Sequence, residues 1–487
     1  MSTTLVPPPA SVIGRPIDRI DGPAKVTGAA LYAADAPVAD PLHAVVVQST
    51  ISSGLIVSID ESATRALPGV VEVVTYRNAP RVVAPPFSFT LPFAEEFAPL
   101  QTGEIRYDGQ HVAVVVARTL EAAREGAALL RIAYERGPAE VTLDDAQWET
   151  PAQWFGDDAQ PRRGDPEAAY AASEVTIDAR YATPVEHHNP LEPSATVAEW
   201  RAGEIVVHDA TQWVRGTRAC LASAFGVKEE RVRVISPFVG GGFGCKGFFW
   251  AHPVLAVMAA KLTGRPVKLV LTREQMFTSC GYRSVTRQRL RMGATREGRL
   301  NAVLHDVQAT TSRVGMFLEF AGVATPMLFD VPNIAVTHRV AKLDIPTPSA
   351  MRAPGESPGT FALGSAMDEL AAACGLDPLE VLRRNHATVD RSTGLPFSSK
   401  HLLQCYARGA EAFGWARRVR VGSTRCFTTS RRRRRASGCS SSSPASSRRC
   451  CSTCRTSRSR IGSRGSTSRR RARCARPVSR PVRSRSA

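Results

Sequence analysis

Acidic side chains stop at Glu411, and from Arg417 to Ala487 the chain carries 23 Arg with no Lys, Asp or Glu. A segment so charged and so poor in apolar side chains cannot bury enough surface to offset its conformational entropy. Whatever folds here is therefore expected to fold within the first 416 residues. The net charge of +19 belongs to the tail: residues 1–416 hold 63 − 23 = 40 bases against all 44 acids, a balance of −4. An Arg/Ser-rich arm could neutralise nucleic-acid phosphates. This one has no Tyr or Trp, and Phe427 is its sole aromatic, so it offers no stacking platform. Six cysteines (Cys426, Cys439, Cys450, Cys451, Cys454, Cys474) crowd it without a second CxxC or a His to complete a metal site. Arg, Ser, Pro, Ala and Cys together are what a GC-rich gene gives when read out of frame. Residues 417–487 are read as an out-of-frame, disordered tail, and nucleic acid is not an expected partner.

The remaining length suits two to four domains. No run of eighteen apolar residues is present to cross a membrane. The start, "MSTTLVPPPASVIG", has neither a basic n-region nor an apolar h-region, so residues 1–12 are expected to be a flexible lead-in rather than a signal peptide. Five scattered cysteines in the body (Cys220, Cys245, Cys280, Cys374, Cys405) suggest a reducing, cytoplasmic setting.

Three segments follow from periodicity. Residues 13–135 read as a small α/β domain: "HAVVVQSTI" and "HVAVVVA" are β-rich, and Thr119 can cap a helix over "LEAAREGAALL". "RIAYE" returns as a strand, and "ALPGVVEVVT" is a helix end, a Pro-Gly turn and a strand. Residues 136–168 read as a connector. Residues 169–385 form a larger domain, in which "GTRACLASAFGV" is a helix stopped by Gly226 and "RVRVISPF" a strand. "FFWAHPVLAVMAAKLTG" is a second helix. "RPVKLVLTR" is a strand, and "RQRLRMGATREGRLNAVLHDVQAT" contains two strands about a "TREGR" turn. Residues 386–416 begin a third segment.

Between that strand and the second helix lies "VGGGFGCKG", residues 239–247, with five glycines in nine positions. Strand, glycine loop and helix together make an anion-binding geometry. The Walker pattern fails because Cys245 precedes Lys246 and Gly247 follows it; the dinucleotide pattern fails because Cys245 stands where its last Gly is required. Four glycines among Gly240–Gly244, broken only by Phe243, call for a bulky anionic ligand approached by main chain. "EHHN" (186–189) invites a metal reading, but neighbours on a strand point to opposite faces, so His187 and His188 are not expected to share an ion.

Five ordered blocks carry a resemblance: "RIDGPAKVTGAALYAADAP", "HNPLEPSATVA", "ATQWVRGTRACLASAFGVKEERVRVISPFVGGGFGCKG", "RPVKLVLTREQMF" and "MRAPGESPGTFALGSAMDELAAACGLDPLEVLRRNH". Over roughly residues 13–416 the chain resembles the molybdopterin-binding large subunit of the xanthine dehydrogenase/aldehyde oxidase (molybdenum hydroxylase) family. The resemblance implies a mixed α/β (α+β) fold. A hammerhead-like domain (13–135) precedes a first molybdenum-cofactor-binding domain (169–385) and the start of a second (386–416). It implies an oxidoreductase that hydroxylates an aldehyde or N-heteroaromatic carbon with oxygen from water. The cofactor is the molybdenum cofactor, as the cytosine dinucleotide of molybdopterin. Electrons leave through an iron–sulfur small subunit and an FAD-binding medium subunit.

By the same resemblance Gln212 donates its side-chain amide to an oxo ligand, and Phe243 and Gly244 offer backbone N–H groups. Gly241 and Gly242 belong to the cofactor loop, Arg352 and Ala353 lie beside the cofactor, and the His187–His188 pair belongs to a block near the pterin. Cys245 replaces a common Gly and is expected to crowd the loop. Gly247 stands where purine-oxidising relatives carry Glu, and Pro354 where they carry a stacking Phe, which argues against xanthine. The family's general base is a Glu in the last part of the subunit; this sequence has no acid after Glu411. Glu356, expected in a glycine-bounded turn, is the nearest substitute, and no catalytic residue is assigned. The chain is read as C-terminally truncated or frameshifted, and is expected to hold little molybdenum and to be inactive.

Overall fold

The computed structural model describes residues 16–144, 146–154, 157–315 and 317–416. The flexible-start, out-of-frame and disordered-tail readings fall on residues 1–12 and 417–487, outside the described residues.

A seven-stranded mixed sheet runs in the order Val232–Ile235, Glu204–Asp209, Ala195–Arg201, Val267–Val270, Leu42–Gln48, His111–Ala117, Val70–Thr75. Three of its strands come from the first segment and four from the second. They join where Leu42–Gln48 pairs parallel with Val267–Val270, Ala44 opposite Leu269. The first segment is thus continuous with the second through backbone hydrogen bonds. His111–Ala117 is buried along its whole length, which is why it reads as an unbroken apolar run. Helix Ala251–Thr263 packs on this sheet. Every side chain from Ala251 to Ala260 is buried, so it is apolar all round rather than striped.

A second sheet carries Arg162–Arg163, Asn333–Leu343, Leu300–Ser312, Thr286–Ala294 and Val175–Thr183 in that order, with Trp148–Glu149 also pairing to Asn333–Leu343. The connector therefore supplies two short edge strands. Helix Glu356–Cys374 covers one face of this sheet through Ala362, Leu363, Ala366, Met367, Leu370 and Ala371, at the 3–4 spacing of a buried helical stripe. A small sheet of Gly54–Asp60, Glu104–Ile105 and Arg131–Arg136 closes the first segment over Ile51, Ile56, Ile59, Ile105 and Val112.

Local signals place several element ends. The Thr119 side chain accepts from the Ala122 N–H at the start of Leu120–Leu129. Gly226 and Gly264 take left-handed backbone and stop their helices. The strand read through "LTR" ends earlier, at Val270. Thr272 and Gln275 form a capping box there and open helix Arg273–Ser279. The helix expected from Phe248 begins at Ala251. The Phe248–Phe249 stretch is extended: the Phe249 N–H donates to Pro92 O, and Phe249 O accepts from Ala94 N–H.

Candidate functional site

Strand Val232–Ile235 delivers the glycine loop, which folds back over the segments around Glu192 and Gln212. At its start, the Gly240 N–H donates to Glu192 Oε2 over 2.7 Å. A side chain at Gly240 would overlap Glu192 Cβ. The same carboxylate oxygen receives Lys246 Nζ at 2.8 Å, and Lys246 Nζ also donates to Glu192 O at 3.0 Å. Lys246 is 1% exposed in its side chain. It points inward to tie the loop down and does not face a ligand.

The middle of the loop is shaped around Gln212. The Gly244 N–H donates to Gln212 Oε1 over 3.1 Å. A backbone N–H can only donate, so this contact fixes which end of the amide is oxygen and leaves the two Nε2 hydrogens as free donors. The Gln212 N–H is itself held by Lys246 O at 2.8 Å. A Cβ at Gly242 would overlap the Gln212 amide, so that position admits only glycine while Gln212 lies there. Gly244 has φ 114, and a side chain on it would overlap Ala350 O. Among the described residues the N–H groups of Gly241, Gly242 and Phe243 have no protein acceptor.

The facing segment is residues 350–355. The Arg352 N–H donates to Phe243 O over 2.8 Å. Phe243 and Ala353 both hold left-handed backbone, φ 55 and 59, uncommon for residues with a Cβ and costing about 1 kcal/mol or more each. Arg352 and Ala353 are exposed, and Phe243 is exposed as well. His188 Nε2 bonds to Ala350 O at 2.9 Å, while the His187 ring packs on Phe277 and Tyr282. The two imidazoles go separate ways, but not through strand alternation, because residues 187–189 lie outside any strand. Beside the loop, Phe248 packs against Phe87 and Phe317 with ring centroids 5.9 and 5.8 Å away. A side chain added at Gly247 meets nothing within 4 Å.

The structure therefore brings Gln212, Gly241, Gly242, Phe243, Gly244, Arg352 and Ala353 to one place. Four details differ from the sequence reading. The Gly244 N–H is donated to Gln212 rather than left free. Cys245 does not crowd the loop: it is buried, its thiol donates to Gly242 O, and burial pushes its pKa up to about 11. The anion-binding helix end is replaced by a 3-10 turn, Cys245–Gly247, because the helix starts only at Ala251. Glu356 opens helix Glu356–Cys374 instead of lying in a turn.

Sequence reasoning missed the charges beneath the surface. In the linear sequence Glu192 and Lys246 carry no sign of their contact, since 54 residues separate them. Arg283 and Glu319 are buried and flank the 350–355 segment from behind. The one legible hint was a lone acid in the apolar run "FLEF". Burial pushes the Glu319 pKa up to about 7, partly opposed by the Gly355 N–H and by Arg283. No group of three or more His, Cys, Asp or Glu side chains forms a metal cluster among the described residues. No helix among them is long and apolar enough to cross a membrane.

Residues 149–386 match the molybdopterin cofactor-binding domain family, and residues 27–138 match the aldehyde oxidase and xanthine dehydrogenase a/b hammerhead domain family. The aldehyde oxidoreductase molybdenum-binding subunit PaoC of Escherichia coli O157:H7 is 36% identical over 84% of this chain and 55% of its own length. The putative xanthine dehydrogenase molybdenum-binding subunit XdhA of Escherichia coli K12 is 31% identical over 82% of this chain and 56% of its own. The chain thus spans little more than half the length of these relatives. The aldehyde oxidoreductase of Desulfovibrio gigas superposes with a TM-score of 0.71 at 25% identity, over 82% of this chain and 46% of that one.

Proposed function

Because this chain belongs to the aldehyde oxidase and xanthine dehydrogenase family of molybdopterin-binding subunits, we propose that its two facing loops hold the molybdenum cofactor of a hydroxylase large subunit. The observation that carries the reading is the group of donors gathered around Gln212. Its amide is locked with the NH2 outward by Gly244, against a glycine whose Cβ would fill the cradle. The unpartnered N–H groups of Gly241–Phe243 and the exposed Arg352 guanidinium lie on the same pair of loops. Oxo and phosphate oxygens are acceptors, so a set rich in donors suits them. When bound, the cofactor supplies the two-electron redox chemistry by which a carbon is hydroxylated with oxygen from water.

On this reading Gln212 orients an acceptor with its two amide hydrogens. Phe243 and Ala353 present backbone at close range, and Arg352 contributes a fixed positive charge. The cofactor is proposed to be the cytosine dinucleotide form, with electrons passing to an iron–sulfur small subunit and an FAD-binding subunit in the cytoplasm. The domain limits proposed are 13–135, 136–168, 169–385 and 386–416. An aldehyde or N-heteroaromatic ring is the proposed substrate, supported by the Phe87–Phe248–Phe317 cluster and the open space beside Gly247. No general base is assigned: Glu192 and Glu319 are occupied by a cation and a glycine N–H each.

The test is molybdenum per chain by mass spectrometry, after expression of residues 1–487 with iron–sulfur and flavin subunits, for the wild type and Gly242→Val. Molybdenum retained by the wild type and lost with Gly242→Val supports the site. Equal molybdenum in both removes it, and none in either is the outcome expected if these residues alone hold little molybdenum. Dye reduction with an aromatic aldehyde then reports whether the loaded chain turns over.

A further inference from the structure

Each loop of the site is tied from behind by a carboxylate that takes a glycine N–H and meets a buried cation. For the glycine loop these are Glu192, Gly240 and Lys246. For the facing loop they are Glu319, Gly355 and Arg283. We propose that Arg283 and Glu319, with Glu186 as outer partner, form a clamp that sets the position of residues 351–355 against the glycine loop, and so are positioning residues for the site. The proposal rests on the cofactor reading only for its consequence. The clamp itself belongs to this chain and is testable without any ligand.

Arg283 is 4% exposed in its side chain. One terminal nitrogen donates to Glu186 Oε2 over 2.7 Å. The other faces three successive carbonyls: Arg352 O at 2.7 Å, Met351 O at 3.3 Å and Ala353 O at 3.4 Å. Its Nε stands 3.4 Å from Glu319 Oε1, a charge contact rather than a hydrogen bond, since no acceptor is aligned with that N–H. Glu319 Oε1 accepts the Gly355 N–H over 2.7 Å. Gly355 is the N-cap of helix Glu356–Cys374 and has no side chain with which to cap it.

These contacts address a specific conformational need. Three consecutive carbonyls aimed at one point repel each other unless a cation lies there. Ala353 takes left-handed backbone, φ 59, within this run, and Gly355, φ 79, presents its N–H to Glu319. Carbonyls only accept, and a guanidinium offers five N–H donors in a fixed plane, which a lysine ammonium cannot reproduce over this spread. Turning the carbonyls inward leaves the Arg352 and Ala353 side chains on the exposed face and the Arg352 N–H on Phe243 O. The same residues that hold Arg283 by their backbones therefore carry the site by their side chains. A buried arginine serving only general packing would not need three carbonyls from one loop.

The test uses the full chain and hydrogen exchange read by peptide. Peptides spanning 350–356 are compared with the core strand 111–117, alongside urea midpoints, for the wild type, Arg283→Lys, Glu319→Ala and Glu319→Gln. Loss of one buried hydrogen bond raises opening about 10-fold, so exchange over 350–356 should rise by about that factor in Arg283→Lys and Glu319→Ala, with the 111–117 strand unchanged. Glu319→Gln keeps an acceptor for the Gly355 N–H and should restore protection at that amide. Unchanged exchange over 350–356 in both loss variants overturns the clamp. A rise that matches the core strand also overturns it, because that shows a global effect. Failure here leaves the molybdenum comparison of wild type with Gly242→Val untouched, so the two readings fall separately.

Discussion

Lys246→Met isolates the charge that holds the glycine loop down. The wild-type ammonium lies 2.8 Å from Glu192 Oε2 and 3.0 Å from Glu192 O, with the lysine side chain 1% and the glutamate side chain 10% exposed. Methionine fills much of the lysine volume, so the cavity is small. What remains is a buried carboxylate with one N–H donor, from Gly240, and a second oxygen, Oε1, that has no partner among the described residues even in the wild type. Removing one member of a buried ion pair typically costs ~3–5 kcal/mol, because the other charge is left uncompensated. The lower end, about 3 kcal/mol, is expected here, since the Gly240 hydrogen bond persists and the glutamate is not fully shut off from solvent. The double variant Lys246→Met/Glu192→Gln removes the orphan charge while keeping an acceptor for Gly240. It should recover about 2 kcal/mol of the loss. Urea unfolding followed by tryptophan fluorescence measures both, at pH 7.5. If Lys246→Met costs under ~1 kcal/mol, or the double variant is no more stable than the single, then Lys246 is not the counter-charge on which the loop depends.

Gln212→Ala in a full-length version of the subunit should lower turnover more than molybdenum content, because it removes one side-chain donor set worth ~1–3 kcal/mol; unchanged turnover at saturating substrate would take Gln212 out of the site. Gly244→Ala puts a methyl group onto Ala350 O and a side chain at φ 114, so it should part the two loops and speed exchange at the Arg352 N–H, without altering the 111–117 strand. His305 is fully buried between Thr325 Oγ1 and Gln288 Oε1, and burial pushes its pKa down to about 3. The folded state thus keeps it neutral while the unfolded chain takes up a proton below pH ~6.5, so its contribution is lost as pH falls through that value. At pH 5 the loss is about 2 kcal/mol relative to pH 7.5, and His305→Gln should flatten the acid limb of a stability–pH curve by that amount.

Much of the local structure was legible because its causes are local. Thr119 caps its helix with its own side chain, Gly226 and Gly264 stop theirs by taking left-handed backbone, and the "TREGR" turn joins two strands that pair across it. Gln212, the glycine loop and Arg352 were legible only together, as ordered blocks; each alone reads as an ordinary surface or turn residue. The capping box at Thr272 and Gln275 was legible too, yet the apolar alternation before it extended the strand reading past Val270.

The change of composition at residue 417, the strand and helix content before it, and the glycine loop at 240–244 are legible in composition, periodicity and glycine placement, all of which act over a few residues. The tertiary structure decided which strands share a sheet. Leu42–Gln48 lies beside Val267–Val270 although more than two hundred residues separate them, and the alternation of each strand marks its inward face but not its neighbour. It also decided which charges turn inward. Lys246 beside Glu192, and Arg283 between Glu186 and Glu319, look like surface residues in a linear reading. Only the folded chain brings each to its counter-charge, because the free energy of burying it depends on partners that are distant in sequence.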